Sequence, residues 1–261
     1  MIEVRNATIG IGSRTLLENV EARIVDGEFV AVLGPNGVGK TTLLHALAGL
    51  GRPRSGTISV GGVEIANVGP AERALRVGFV TSDEILLDAL LVRDVVAIGR
   101  YPHHRWWEWQ ERPSDREAID RALAAVDLEP LADRLVSTLS SGERQRVWIA
   151  LGIAQETPVL LLDEPTSHLD VRVAHEILAL LRDLARAGKT VVCVLHDLND
   201  AATYADRIAL LGCGGLLALE SPDTVLASDL LERTYGVAME RVTLPDGRLR
   251  VFARERPTVS S

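Results

Sequence analysis

A glycine-rich loop between a short apolar run and a helical pattern constrains this chain more than any other feature. Phe29–Leu33 is entirely apolar, and Gly34–Thr41 matches the pattern G-x-x-x-x-G-K-[S/T]. This order predicts a buried strand, a tight loop, and a helix that begins at Thr41 and ends at Leu50. Because units of this kind connect parallel strands, we expect an α/β fold with a largely parallel sheet.

The same loop predicts a phosphate-binding site. Its glycines allow successive backbone N–H groups to face an anion, and the positive end of the next helix points to the same place. Lys40 brings a positive charge to the β- and γ-phosphates of a nucleoside triphosphate, and the Thr41 hydroxyl is a ligand for Mg²⁺. The residues that we assign to this site are Gly34, Pro35, Asn36, Gly37, Val38, Gly39, Lys40, Thr41 and Thr42.

Two further apolar runs end in polar residues that suit hydrolysis. Val159–Leu162 precedes Asp163 and Glu164, which we expect to bind Mg²⁺ and to act as general base on water, respectively. Acids are also common at sheet edges, and the phosphate loop upstream favours the catalytic role. His196 follows an apolar run, so it lies either near the ligand crevice, where it can contact a γ-phosphate, or in the core as a capping histidine.

Charge and composition argue against other classes of protein. The 261 residues carry a formal net charge of -8, whereas nucleic-acid binders normally present a basic surface. No apolar run reaches the roughly 18 residues of a membrane-spanning helix, and the N-terminus lacks the apolar core of a signal peptide. We therefore expect a cytoplasmic protein that binds no nucleic acid, with Cys193 and Cys213 as buried free thiols.

The whole set of motifs resembles the ATP-binding cassette (ABC) ATPases. The segments that carry the resemblance are Gly34–Thr41, Leu139–Glu143, Leu162–Pro165, Ser167–Asp170 and His196. The resemblance implies an α/β P-loop NTPase fold with a RecA-like parallel-sheet core, an N-terminal antiparallel β subdomain and an inserted helical subdomain. It divides the single ABC domain into a nucleotide-binding core (1–81 and 156–220), a helical signature subdomain (82–155) and a C-terminal extension (221–261).

The resemblance also assigns roles to residues. Lys40, Glu164 and His196 would be catalytic, with His196 as the switch histidine that senses the γ-phosphate of ATP. The signature residues would contact a nucleotide held by a second copy of the chain in a head-to-tail dimer; these are Ser140, Ser141, Gly142 and Glu143. Asp170 stands where the family has the loop that couples the two nucleotide sites of the dimer.

Finer similarity points to a subgroup. Three segments are similar to the ATPases of iron–siderophore, haem and cobalamin importers: Val92–His103, Ser141–Ala150 and Val194–Asn199. This implies an ATP-hydrolysing subunit on the inner face of the cell membrane, bound to a polytopic permease and served indirectly by a substrate-binding protein. The alternatives are a zinc or manganese importer, a soluble non-transport ABC ATPase, and a regulatory subunit that hardly hydrolyses ATP.

The chain departs from the family pattern at two positions. Ser82 stands where family members carry a glutamine that touches Mg²⁺; serine keeps an oxygen, and we expect slower but not absent hydrolysis. Ile11 stands where an aromatic residue stacks on adenine, which predicts weak discrimination between ATP and GTP. Separately, a tryptophan cluster suits either a permease contact or local packing; its members are Trp106, Trp107 and Trp109.

Overall fold

Strands and helices alternate along most of the chain. The structure, a computed structural model, describes residues 1–81, 89–104 and 111–254. Its first elements are β1 (Ile2–Ile11), β2 (Arg14–Ile24), β3 (Phe29–Leu33), α1 (Lys40–Leu47), β4 (Ser55–Val60), β5 (Val63–Glu64), α2 (Pro70–Ala74) and β6 (Val77–Val80). Three helices follow, which are α3 (Val92–Ile98), α4 (Pro113–Ala125) and α5 (Ser141–Ala154).

The rest of the described chain returns to alternation and ends in a hairpin. Its elements are β7 (Val159–Asp163), α6 (Val171–Arg186), β8 (Thr190–Val194), α7 (Leu198–Tyr204), β9 (Arg207–Gly212), β10 (Gly215–Glu220), α8 (Pro222–Ala227), α9 (Leu230–Tyr235), β11 (Met239–Thr243) and β12 (Leu249–Ala253). The helix predicted after the glycine loop is confirmed, although it ends three residues early, at Leu47.

A six-stranded sheet positions the glycine loop and the acidic strand end. The strand order is β10-β9-β3-β8-β7-β6. β3 pairs in parallel with β8 and β9, and β7 pairs in parallel with β6 and β8, while β10 is an antiparallel edge strand. The carboxyl ends of β3, β7 and β8 therefore meet at one edge of the sheet, where ligands of open α/β sheets bind.

Alternation along β3 divides the apolar core between two faces. Phe29, Ala31 and Leu33 belong to the cluster that packs beneath α5 and α6. Val30 and Val32 belong to the cluster shared with α1 and with the antiparallel sheet β2-β1-β4-β5. Both faces are covered, which explains why the strand reads as one continuous apolar run rather than an alternating one.

The helical stretch and the C-terminal part attach to this core at defined points. Arg100, buried after α3, bonds Asp115 of α4 at 3.1 Å and the Ala154 carbonyl of α5 at 2.6 Å. The Asn199 amide of α7 makes two 3.0 Å hydrogen bonds with the backbone of Val251 in β12. No helix within the described ranges has the length and apolar character needed to cross a membrane.

The fold class predicted from the motifs is confirmed, and one prediction about the thiols is wrong. Cys193 is buried in β8, but Cys213 is exposed. Its apolar neighbours belong to β9 and β10, which form an antiparallel pair, and Cys213 lies in the turn between them. An apolar segment therefore does not guarantee burial where the segment is a hairpin.

Candidate site for nucleotide binding and hydrolysis

The glycine loop leaves the middle of the sheet and closes tightly onto α1. Gly34 has φ of 152°, and a Cβ there would lie 2.5 Å from the carbonyl oxygen of Leu211, so only glycine fits. Val38 donates its backbone N–H to the Pro35 carbonyl at 3.3 Å. The loop thus leads directly into the N-terminus of α1 at Lys40, where backbone N–H groups without helical partners face outward.

The Lys40 ammonium is folded into this loop. It is buried and donates to the carbonyl oxygens of Gly34 and Pro35 at 2.9 and 3.2 Å. Burial lowers the pKa of Lys40, while the negative charges of Glu164 and Asp163 oppose that shift. Carbonyl oxygens are weaker partners for an ammonium than phosphate oxygens are. The loop therefore holds a positive charge at the place where we expect an anion to bind.

Asp163 meets the loop at the end of β7. It is 7% exposed, and its Oδ1 is buried without a hydrogen-bond partner among the described residues. Burial raises the pKa of Asp163; a hydrogen bond with the Thr41 side chain opposes this shift, and the charge of Glu164 adds to it. Mg²⁺ prefers oxygen ligands, and the unpartnered carboxylate oxygen of Asp163 lies beside the hydroxyl of Thr41. These two residues therefore fit a bound Mg²⁺ ion.

Glu164 faces the same loop in a strained backbone conformation. Its φ is 53°, in the left-handed region that non-glycine residues rarely occupy, at a typical cost of roughly 1–3 kcal/mol. His196 Nε2 contacts Glu164 Oε1 at 2.7 Å, and the Ser167 hydroxyl donates to Oε2 at 3.1 Å. The carboxylate is therefore held from both sides, which suits a group that must aim at one water molecule.

Lys40, Glu164 and His196 share a cleft of about 590 Å³. Its lining consists of Ile11, Arg14, Leu16, Asn36, Gly37, Gly39, Lys40, Thr41, Thr42, Glu164 and His196. Sequence reasoning placed most of these residues here but missed Arg14 and Leu16. Arg14 reaches the cleft because the register of the β1–β2 hairpin pairs it with Ile11, which the sequence alone did not reveal.

The signature residues lie at the start of α5. Ser140 accepts the Glu143 backbone N–H at 3.3 Å, and the Glu143 carboxylate accepts the backbone N–H and hydroxyl of Ser140, each at 2.8 Å. These hydrogen bonds lower the pKa of Glu143. Ser140 and Ser141 are exposed, while Gly142 is buried, and a Cβ on Gly142 would lie 2.8 Å from Val173 Cγ1.

The structure does not bring the signature residues to the phosphate loop. Ser140, Ser141, Gly142 and Glu143 line a separate cleft of about 890 Å³ together with Asp170, which caps α6 by accepting the Val173 N–H at 3.0 Å. Within the described part of the chain, this cleft shares no lining residue with the cleft that contains Lys40 and Glu164, which we call the nucleotide cleft. Ser82 and the three tryptophans Trp106, Trp107 and Trp109 lie outside the described residues.

A parallel sheet with a phosphate loop, two strand-end carboxylates and a strand-end histidine defines a P-loop NTPase. The chain matches the ABC transporter family over residues 17–167 and belongs to that family. Its members bind and hydrolyse ATP, and this chain is an ABC-type ATPase.

Named relatives and solved structures are similar over most of the chain. The ferric enterobactin transport ATP-binding protein FepC of Escherichia coli is 41% identical over 88% of this chain and 85% of the relative. The hemin import ATP-binding protein HmuV of Gloeobacter violaceus is 43% identical over 91% and 88%. A solved dimeric ATP-binding cassette, in a post-hydrolysis state with ADP and phosphate, has a TM-score of 0.73 at 30% identity, covering 85% of this chain and 99% of the other.

Proposed function

We propose that this chain is the ATP-hydrolysing subunit of a membrane importer for iron–siderophore, haem or cobalamin-type cargo. The observation that carries the hydrolytic part is the 2.7 Å contact of His196 with Glu164 above the Lys40 loop, because it brings a general base and a γ-phosphate sensor to one cleft. The relatives FepC and HmuV, which are ATP-binding proteins for ferric enterobactin transport and hemin import, support the cargo class.

The roles of the cleft residues follow from their chemistry. Lys40 and the backbone N–H groups of the loop bind the β- and γ-phosphates, and Glu164 takes the proton of the attacking water. Thr41 and Asp163 would hold Mg²⁺, which when bound neutralises charge on the phosphate oxygens. Since His196 holds one oxygen of Glu164, its contact with the γ-phosphate links the presence of ATP to the aim of the base.

The signature residues complete the site from a second copy. Ser140 and Ser141 are exposed at a helix start, where the helix dipole favours an anion. They nevertheless line a cleft that is separate from the phosphate loop of their own chain. A head-to-tail dimer places each signature against the other copy's nucleotide, with Asp170 between the two sites. ATP binding then favours the closed dimer, and hydrolysis reopens it.

The division of the chain follows the same plan. Residues 1–81 and 156–220 act as the nucleotide-binding core, residues 82–155 carry the signature, and residues 221–261 form an extension. Ser82 remains a proposed indirect Mg²⁺ contact. A permease would keep the protein at the inner face of the membrane, and a substrate-binding protein would select the cargo without touching this chain.

Purification from gently solubilised membranes tests the transport role. The tagged chain should recover a polytopic permease at equal stoichiometry. The Glu164→Gln variant of the chain should recover the same permease, but the purified complex should lack ATPase activity. Recovery only from the soluble fraction, with ribosomes or repair proteins, would overturn the importer proposal and leave the ATPase assignment standing. Uptake of zinc or manganese instead of iron chelates by membrane vesicles would overturn the cargo class alone.

A further inference from the structure

The outer end of the nucleotide cleft is built from the β1–β2 hairpin. Ile11 is 64% exposed there, and no phenylalanine, tyrosine or tryptophan lines the cleft within the described ranges. Arg54 fixes the hairpin turn by donating to the Gly12 carbonyl at 2.6 Å. The base-binding end of the cleft is therefore held in place but lacks an aromatic ring.

Arg14 occupies this end with a guanidinium that nothing in the described chain holds. It pairs in register with Ile11 and is exposed, and its side chain makes no hydrogen bond or ion pair with a described residue. Arg54 and Arg73, by contrast, each donate to a backbone carbonyl. A solvated guanidinium in a ligand cleft is free to contact the ligand.

The position of Arg14 relative to the phosphate loop favours the base over the phosphates. Leu16 lies against the loop, since a Cβ on Gly39 would be 3.3 Å from Leu16 Cβ. Arg14 and Leu16 both line the cleft, and Arg14 lies two residues farther from the loop along β2, next to the hairpin turn. Lys40 and Thr41, which we propose to bind the phosphates and the metal, follow Gly39 at the start of α1.

We propose that Arg14 contacts the nucleotide base by stacking its guanidinium plane on the ring, with Ile11 as an apolar neighbour. This rests on the proposed nucleotide site and adds a residue that determines its specificity. A planar guanidinium stacks on π-systems without reading hydrogen-bond edges. Arg14 stacking therefore accepts adenine and guanine alike, in agreement with the weak discrimination predicted from Ile11.

Competition binding to the full-length chain with Mg²⁺ tests the proposal, using ATP, GTP and inorganic tripolyphosphate as probes. Arg14→Ala should raise the Kd of ATP and of GTP by about 2- to 30-fold, the range expected for a cation–π contact. Tripolyphosphate, which has no base, should bind as tightly as to the wild type. Arg52→Ala, which removes an exposed arginine outside the cleft, should change none of the three.

Two further variants separate stacking from charge. Arg14→Lys keeps the charge without the plane and should weaken ATP nearly as much as Arg14→Ala. Adding Ile11→Tyr to Arg14→Ala should restore ATP binding, because an aromatic ring replaces the lost stack. Equal weakening of ATP and tripolyphosphate would assign Arg14 to the phosphates, and unchanged ATP binding would assign it no contact; either result overturns the proposal. Wild-type protein that binds neither ATP nor tripolyphosphate would overturn the nucleotide site itself.

Discussion

The phosphate loop around Lys40 and the helix start at Ser140 are both suited to phosphate, yet the chain builds them in opposite ways. The loop connects the buried strand β3 to α1, and Lys40 and Asp163 are only 6% and 7% exposed. The helix start exposes Ser140 and Ser141 to solvent. The first region encloses its charged groups, and the second presents its surface outward.

Their internal hydrogen bonding differs in the same sense. Asp163 keeps a buried oxygen without a partner in the described chain, so the loop region is complete only with a cation. Ser140 and Glu143 satisfy each other through a capping box. The signature therefore forms a stable helix start without a ligand. Its exposed surface needs no further contact from its own chain. This difference supports the proposal that one chain carries halves of two different sites.

The largest expected effect comes from the loop region. Glu164→Gln removes the general base while keeping its shape, so steady-state ATP hydrolysis should fall by about 10²- to 10⁴-fold. ATP binding should persist, because Lys40 and the loop remain. Glu72→Gln, which changes an exposed glutamate paired with Arg76, is the matched control. Residual hydrolysis near the wild-type rate would mean that another group activates the water.

The two-copy arrangement predicts complementation between damaged halves. Ser140→Arg should abolish hydrolysis although its phosphate loop is intact, and Lys40→Ala should abolish it although its signature is intact. An equal mixture should recover about a quarter of wild-type activity, since random pairing makes half of the dimers mixed, each with one complete site.

Cap loss needs its own control in that experiment. Ser221 also caps a helix by accepting a backbone N–H, that of Thr224 at 3.3 Å, and it lies outside both clefts. Ser221→Arg should therefore retain hydrolysis. Activity in the Ser140→Arg chain alone, or no recovery on mixing, would contradict the division into two halves.

How much the sequence predicts depends on how local each feature is. The strand, loop and helix around Lys40 follow from adjacent residues, and the apolar runs predict the parallel sheet for the same reason. The contact of Glu164 with His196 depends on a positive φ and on β7 lying beside β8, which no spacing reveals. Arg14 beside Ile11 depends on the register of a hairpin, and the exposure of Cys213 depends on a turn inside an apolar segment.

The two regions should also respond to pH in opposite directions, and the loop gives the larger response. Burial raises the pKa of Asp163 above its usual 3.8. The ionised carboxylate therefore lowers the free energy of unfolding of the ligand-free protein at neutral pH. This destabilisation disappears as the pH falls through the raised pKa, because the carboxyl group becomes protonated. Asp163→Asn should raise the free energy of unfolding at pH 7 by about 1 kcal/mol, because a neutral amide costs less to bury than a carboxylate charge.

Denaturant unfolding at several pH values measures this difference. The gap between Asp163→Asn and the wild type should shrink as the pH falls. With Mg²⁺ and ATP the order should reverse, because only the wild type keeps the carboxylate for the metal. A gap that is independent of pH would show that the charge of Asp163 does not determine the stability of the loop.

The smallest effect is expected at the signature, with the opposite sign. Hydrogen bonds from Ser140 lower the pKa of Glu143 below its usual 4.5, so its contribution is present above that value and disappears as the pH falls through the lowered pKa. Glu143→Ala should lower the free energy of unfolding by about 0.5–1 kcal/mol at pH 7, and the difference should narrow in acid.

Glu117→Ala, at an exposed helical glutamate that is 71% accessible, controls for the change in charge and helix propensity. Glu143→Gln keeps a side chain that can close the capping box and should lose less than Glu143→Ala. Equal losses at Glu117 and Glu143 would remove the capping box as the cause. Because Asp163 and Glu143 then predict stability changes of opposite sign in the same assay, one pH series distinguishes a region that requires a ligand from a region that is complete without one.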